Sequence, residues 1–169
     1  MTKNSKIILV DDNDQRIAAE EKVKCHLGQG ILHRAFSIFI LNNNKKLLLQ
    51  KRAEGKMLWA GFWSNTCCSH PEENENILKS AKKRLKEEFG FECPLKLIGK
   101  FKYQANFKDV GSENEFCYVF SGEYNGKVFP NKKEISEYKW IDMEELKNKI
   151  KNSPENYTPW LKIEINKYF

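Results

Sequence analysis

This sequence has no Cys-x-x-Cys pair, no arginine-rich arm and no long apolar run. Without paired cysteines at zinc-finger spacing, and with its lysines scattered along the chain, it lacks the usual marks of a nucleic-acid binder. The five cysteines (Cys25, Cys67, Cys68, Cys93 and Cys117) are an odd number. Two of them are adjacent, and adjacent cysteines rarely cross-link without strain. Free thiols in a reducing compartment are expected. Near the N-terminus the only apolar run is Ile7-Ile8-Leu9-Val10, cut off by Asp11-Asp12. It is too short for a signal peptide or a membrane span, so the expectation is a cytoplasmic protein with no membrane and no nucleic-acid partner. Histidine is also scarce, with three residues in 169.

What is present suits one globular domain over residues 1–169, with 40% hydrophobic and 31% charged residues. The net charge of +6 fits a phosphorylated small molecule, although solubility alone also explains such an excess. Lys6 to Val10 reads as a strand. Ala35 to Leu41 and Lys46 to Arg52 read as a hairpin around Asn42-Asn43-Asn44. Residues 53 to 71 lack periodicity and read as a functional loop. Asn76 to Phe89 is the clearest helix, because Ile77, Ala81, Leu85 and Phe89 recur every fourth residue and Gly90 provides a stop. Strands are expected over 95–104, 115–123 and around Tyr138-Lys139-Trp140-Ile141. Asp142 is placed to cap a helix through Ile150, and a last helix begins near Thr158-Pro159. The order predicts a single α/β (α+β) domain.

The helix carries the first chemical pattern. Ser69, five residues, Glu75, seven residues, then Lys83-Arg84-Leu85-x-Glu87-Glu88-x-Gly90-Phe91 resembles the Nudix box. Ser69, Lys83 and Arg84 depart from its usual letters, but the spacing is intact over 23 positions; the plainer alternative is an amphipathic helix with a charged outer face. Arg84 and Glu88 are four apart and share a helix face. An arginine there removes a carboxylate from a metal array and adds a bidentate phosphate donor, which favours holding a diphosphate over hydrolysing it. Glu113 and Glu115 point the same way if their segment is a strand. With His26, His33 and His70 they offer nitrogen and oxygen ligands for one divalent ion, although spacing alone does not bring them together.

Further segments narrow the resemblance. His26, Leu32-His33-Arg34-Ala35-Phe36-Ser37, Leu58 through Pro71 with Cys67-Cys68-Ser69-His70, Phe101-Lys102-Tyr103, Glu113-Asn114-Glu115 and Pro159-Trp160 resemble the type I isopentenyl-diphosphate isomerases, a branch of the Nudix superfamily. That resemblance implies a Nudix-type α/β/α sandwich with a mixed sheet, and the interconversion of isopentenyl and dimethylallyl diphosphate. It implies Cys68 as the catalytic thiol, Glu115 as the catalytic carboxylate and Tyr103 beside it. It assigns Lys22, Arg52, Lys56 and Arg84 to the diphosphate and Trp160 to the pocket wall. His26, His33, His70, Glu113 and Glu115 would hold an ion (Mn2+, Zn2+ or Mg2+). Glu88 and the carbonyl of Cys68 would meet a Mg2+ that arrives with the isoprenoid diphosphate. The expected assembly is a monomer or weak homodimer.

The chemistry of the residue types agrees. Moving a double bond by one carbon adds a proton at one end and removes one at the other, so a placed acid and a placed base are both required. The intermediate is a tertiary carbocation, which an indole can shield from water. The alternatives are a Nudix hydrolase of nucleoside diphosphate derivatives and a phosphate-binding module without catalysis. Arg84 and the Cys-Cys-Ser-His motif argue against the first. The second leaves Cys68, Glu113 and Glu115 without a purpose.

Overall fold

A computed structural model describes residues 5–169; the first four residues of the expected domain lie outside it. The chain runs β1 (Lys6–Val10), β2 (Arg16–Glu21), α1 (Lys22–Cys25), β3 (His33–Leu41), β4 (Leu47–Arg52), β5 (Trp63–Ser64), β6 (Cys67–Ser69) and α2 (Ile77–Phe89). It continues through β7 (Leu95–Phe107), β8 (Gly111–Glu123), β9 (Ile135–Ile141), α3 (Met143–Asn152) and α4 (Pro159–Tyr168).

The sheet is mixed. β3 pairs in parallel with β8 from His33↔Glu115 to Leu41↔Glu123, and antiparallel with β6 through Ser37↔Cys68. β7 and β8 form a long antiparallel ribbon that sets Tyr103 opposite Glu115. Because β3 is buried on both faces, its side chains are apolar in a nearly unbroken run. Alternation then divides them between two cores. Phe36, Ile38 and Ile40 pack with Ala81, Leu85 and Phe89 of α2. Ala35 and Phe39 pack on the other side with Leu146 of α3 and Trp160, Leu161 and Ile165 of α4. The result is the expected α/β/α sandwich.

Local chemistry sets the ends of the helices. Asn76 caps α2 by accepting from the N–H groups of Leu78 and Lys79, and Gly90 closes it in the left-handed region at φ 77°. Asp142 caps α3 through the N–H groups of Glu144 and Glu145. The expected hairpin is a correction: β3 and β4 touch only at Leu41↔Leu47. They diverge because β4 takes β9 and β5 as partners while β3 takes β8 and β6. The stretch read as a loop also contains β5 and β6, whose short pairing carries Cys68 onto the sheet.

Candidate active site

One cavity of about 590 Å3 opens on the α4 side of the sheet. Lys22, Arg52 and Lys56 line one part of it, and His26, His70, Glu113 and Glu115 another. Cys68, Tyr103 and Trp160 complete the wall, and Val23, Met57 and Leu58 line it as well. His33 lies behind this wall, fully buried.

The three imidazoles meet with ring centroids 4.8 to 5.1 Å apart. One ligand atom from each, with one from Glu113, falls within 4.8 Å of the others. Backbone carbonyls fix the tautomer of two of the three rings, while His70 Nδ1 is buried without a partner. His26 Nδ1 donates to the carbonyl of Lys22 at 2.6 Å and His33 Nδ1 to that of Ile31 at 2.7 Å. A carbonyl only accepts, so in the neutral rings both Nε2 lone pairs face the cluster. His26 Nε2 stands 2.9 Å from Glu113 Oε2 and His70 Nε2 stands 2.9 Å from Glu115 Oε1. His33 Nε2 and Glu113 Oε2 are nonetheless buried without a hydrogen-bond partner. Buried orphans that converge in this way fit a divalent cation, and the donor set is one that Mn2+, Zn2+ or Mg2+ accepts.

The electrostatics point the same way. Burial pushes the His70 imidazole well down, and Lys22 adds to it, so the ring is neutral. Burial also opposes ionisation of Glu115, but contacts from His33 and Tyr103 outweigh it and hold the carboxyl below its ordinary range. Tyr103 donates to Glu115 Oε2 at 2.6 Å.

β6 turns its neighbouring cysteines to opposite faces. Cys67 is fully buried among the α2 side chains, while Cys68 faces the cavity. Cys68 Sγ lies 2.8 Å from Asn65 Oδ1 and donates to it. Burial pushes this thiol far up, so it is protonated at rest. The same Asn65 oxygen accepts Trp160 Nε1 at 3.2 Å, which anchors the indole beside the thiol. Arg52 donates to the carbonyls of Leu58 and Trp59 and sits 5.3 Å from the centroid of the Trp160 ring.

Arg84 and Glu88 do not line the cavity. Arg84 is buried in a cage of carboxylates, 2.5 Å from Glu88, 2.7 Å from Glu87 and 3.3 Å from Glu134. Glu134 also pairs with Lys56. Sequence reasoning missed Glu134, which sits in a polar loop with no periodic signal, and Asn65, which holds both the Cys68 thiol and the Trp160 indole.

The NUDIX domain family model matches residues 31–161. Among solved structures, DR0079 from Deinococcus radiodurans shares the fold at a TM-score of 0.81, with 15% identity over 97% of this chain and 99% of that one. Isopentenyl-diphosphate Delta-isomerase 2 of Aromatoleum aromaticum is 42% identical over 92% of this chain and 82% of its own length. The protein of that name from Photorhabdus laumondii is 43% identical over 95% of this chain and 90% of its own length. The chain belongs to the Nudix superfamily and, within it, to the isopentenyl-diphosphate Delta-isomerase family.

Proposed function

We propose that this protein interconverts isopentenyl and dimethylallyl diphosphate by protonation and deprotonation at carbon. One observation carries the reading: a single cavity is lined by the Cys68 thiol, the Glu115 carboxylate and three basic side chains, Lys22, Arg52 and Lys56. Lys22, Arg52 and Lys56 bind the diphosphate, and the hydrocarbon lies between Cys68, Tyr103, Glu115 and Trp160. Glu115, steadied by Tyr103, exchanges a proton at one end of the allylic unit, and Cys68 exchanges one at the other. A protonated thiol and an ionised carboxylate at rest suit this division, because one group arrives ready to give and the other ready to take. Trp160 excludes water from the carbocation and contributes a cation–π contact of about 2 kcal/mol.

A divalent ion held by His26, His33, His70, Glu113 and Glu115 supplies the positive charge that poises Glu115 for proton transfer. The substrate brings Mg2+, for which Glu88 and the Cys68 carbonyl are the assigned partners. Glu88 reaches it only if its ion pair with Arg84 opens, and Arg84 is then free to meet the diphosphate. Five free cysteines support a reducing, cytoplasmic setting. No helix among the described residues is long and apolar enough to cross a membrane. The hydrolase reading is weaker, because Arg84 already neutralises the carboxylates that would gather a hydrolytic metal array.

The protons provide the test. Isopentenyl diphosphate is incubated in D2O with metal-replete protein and Mg2+ and followed by NMR. Deuterium should enter the new methyl group of dimethylallyl diphosphate while the diphosphate stays whole. Release of phosphate with no label on carbon would overturn the isomerase in favour of the hydrolase.

A further inference from the structure

Among the described residues, four other than glycine hold a left-handed backbone: Asp14, Lys45, Trp59 and Lys108. Asp14, Lys45 and Lys108 lie in turns between consecutive strands, where a chain reversal accounts for it. Trp59, at φ 48°, is different. A bulky side chain rarely adopts this region, and such strain persists only where the surroundings hold it. Here they do. The Trp59 indole is buried, with its ring centroid 4.9 Å from that of Phe107 and 5.3 Å from that of Trp160. The chain around it is tied to the end of β4. Gly61 N–H donates to the Arg52 carbonyl at 3.0 Å, and Arg52 N–H donates to that of Phe62 at 2.9 Å.

The turn does two things at the cavity wall. It brings the carbonyls of Leu58 and Trp59 to one guanidinium. Arg52 Nε donates to the Trp59 oxygen at 3.1 Å, and Arg52 Nη2 donates to that of Leu58 at 2.8 Å. These bonds engage one edge of the Arg52 fork. Nη1 makes no hydrogen bond among the described residues, so the opposite edge keeps the paired donors that a phosphate takes. The turn also sets the Trp59 ring nearly perpendicular to that of Trp160, at 86°. Trp160 is tethered at Nε1 by Ser64 and Asn65. Tethers at one atom leave an indole free to tilt about it, and the perpendicular packing against Trp59 sets the tilt.

We propose that Trp59 is a positioning residue for both halves of the substrate: its left-handed backbone aims Arg52 at the diphosphate, and its indole holds Trp160 over the hydrocarbon. The role rests on the isomerase reading for its catalytic consequence, but the aim of Arg52 can be read without turnover. Trp59→Gly removes the ring and keeps the backbone accessible, because glycine takes the left-handed region readily. Trp59→Ala removes the same ring and favours a backbone that withdraws the two carbonyls. Trp59→Phe keeps a ring against Trp160.

The parent and the three variants are compared by calorimetry with magnesium pyrophosphate, and by kcat, KM and product analysis with isopentenyl diphosphate. Trp59→Ala should weaken pyrophosphate binding and raise KM, each by about tenfold, while Trp59→Gly stays within about threefold of the parent in both. Both variants should lower kcat by about twentyfold. Both should also divert about 5% of turnover to the tertiary alcohol diphosphate, formed when water adds to the carbocation and gives up a proton. Trp59→Phe should keep kcat within about threefold and form none of the alcohol. Equal pyrophosphate affinity in the Ala and Gly variants would overturn the proposal, as would a Trp59→Gly protein with the parent's kcat and product. If the small variants fail to fold, Trp59→Leu, which fills the space without a ring, takes their place; matching kcat and product in Trp59→Leu and Trp59→Phe then overturns it. Should the parent show no isomerisation, the functional reading fails, and the pyrophosphate affinities still decide whether Trp59 aims Arg52.

Discussion

Two acidic clusters lie on either side of the sheet, and they are finished differently. On the cavity side, Glu113 and Glu115 meet three imidazoles, and His33 Nε2 and Glu113 Oε2 have no hydrogen bond. On the α2 side, Glu87, Glu88 and Glu134 close on the Arg84 guanidinium at 2.5 to 3.3 Å. The first cluster offers the mixed nitrogen and oxygen donors of a divalent-ion site; the second is closed by a guanidinium of the chain itself.

The sharpest way to break this contrast is to damage the first cluster. His33→Ala should lower kcat by about a thousandfold or more and remove one equivalent of tightly held divalent ion, measured by turnover and by elemental analysis. Full activity in metal-depleted protein would remove the basis for the contrast.

Arg84→Glu attacks the other side, by converting the finished cluster into an unfinished one. Four carboxylates would then crowd a largely buried space, at a cost of about 4 kcal/mol in chemical denaturation without divalent ions. Millimolar Mg2+ should recover part of that loss in the variant and little in the parent, and the variant should remain a poor hydrolase. Equal response to Mg2+ in both proteins would show that Arg84 is not standing in for an ion.

A smaller effect comes from Glu134, which links Arg84 to Lys56. Burial works against its charge, but Lys56 and then Arg84 hold the carboxyl down to about 2. A depressed folded pKa means that this stabilisation is present above the ordinary carboxylate value of 4.5 and is lost as pH falls from there through about 2. Allowing for partial exposure, denaturation should show about 2 kcal/mol disappearing across that window, and Glu134→Gln should flatten the slope there.

The mildest change compares the two faces through β6 itself. Cys67→Ala trims a fully buried thiol on the α2 side and should cost about 1 kcal/mol of stability with kcat within about threefold. Cys68→Ala, one residue on, should leave the fold intact and abolish turnover. Comparable kinetic losses in both variants would mean that the strand does not separate the two thiols as described.

The elements that announced themselves in the sequence were those whose causes are local. Helix α2 follows from a four-residue apolar repeat, an Asn76 cap and Gly90; α3 follows from Asp142. The pairing of β3 was not local. Adjacency suggested β4, but buried alternation on both faces demanded two flanking strands, and those come from β6 and the distant β8. Among the site residues, His26, His33, His70, Glu113 and Glu115 were readable through motifs, and the structure brings them together. The burial of Glu164 was not legible, although it follows Trp160 by four positions and shares its helical face.

The parallel register that sets His33 against Glu115 has a consequence for how the protein folds. Those two strands are separated in sequence by β4 to β7 and α2, and β6 and β7 must also dock before His70 and Tyr103 arrive. No short excursion along the folding route can assemble the imidazole–carboxylate cluster, because its parts meet only when the slow, long-range pairing is complete. An ion captured there binds the finished fold and not its precursors, so it should slow global opening more than it speeds collapse. Hydrogen exchange of the β3 and β8 amides would then report occupancy of the centre that His33, Glu113 and Glu115 help to form.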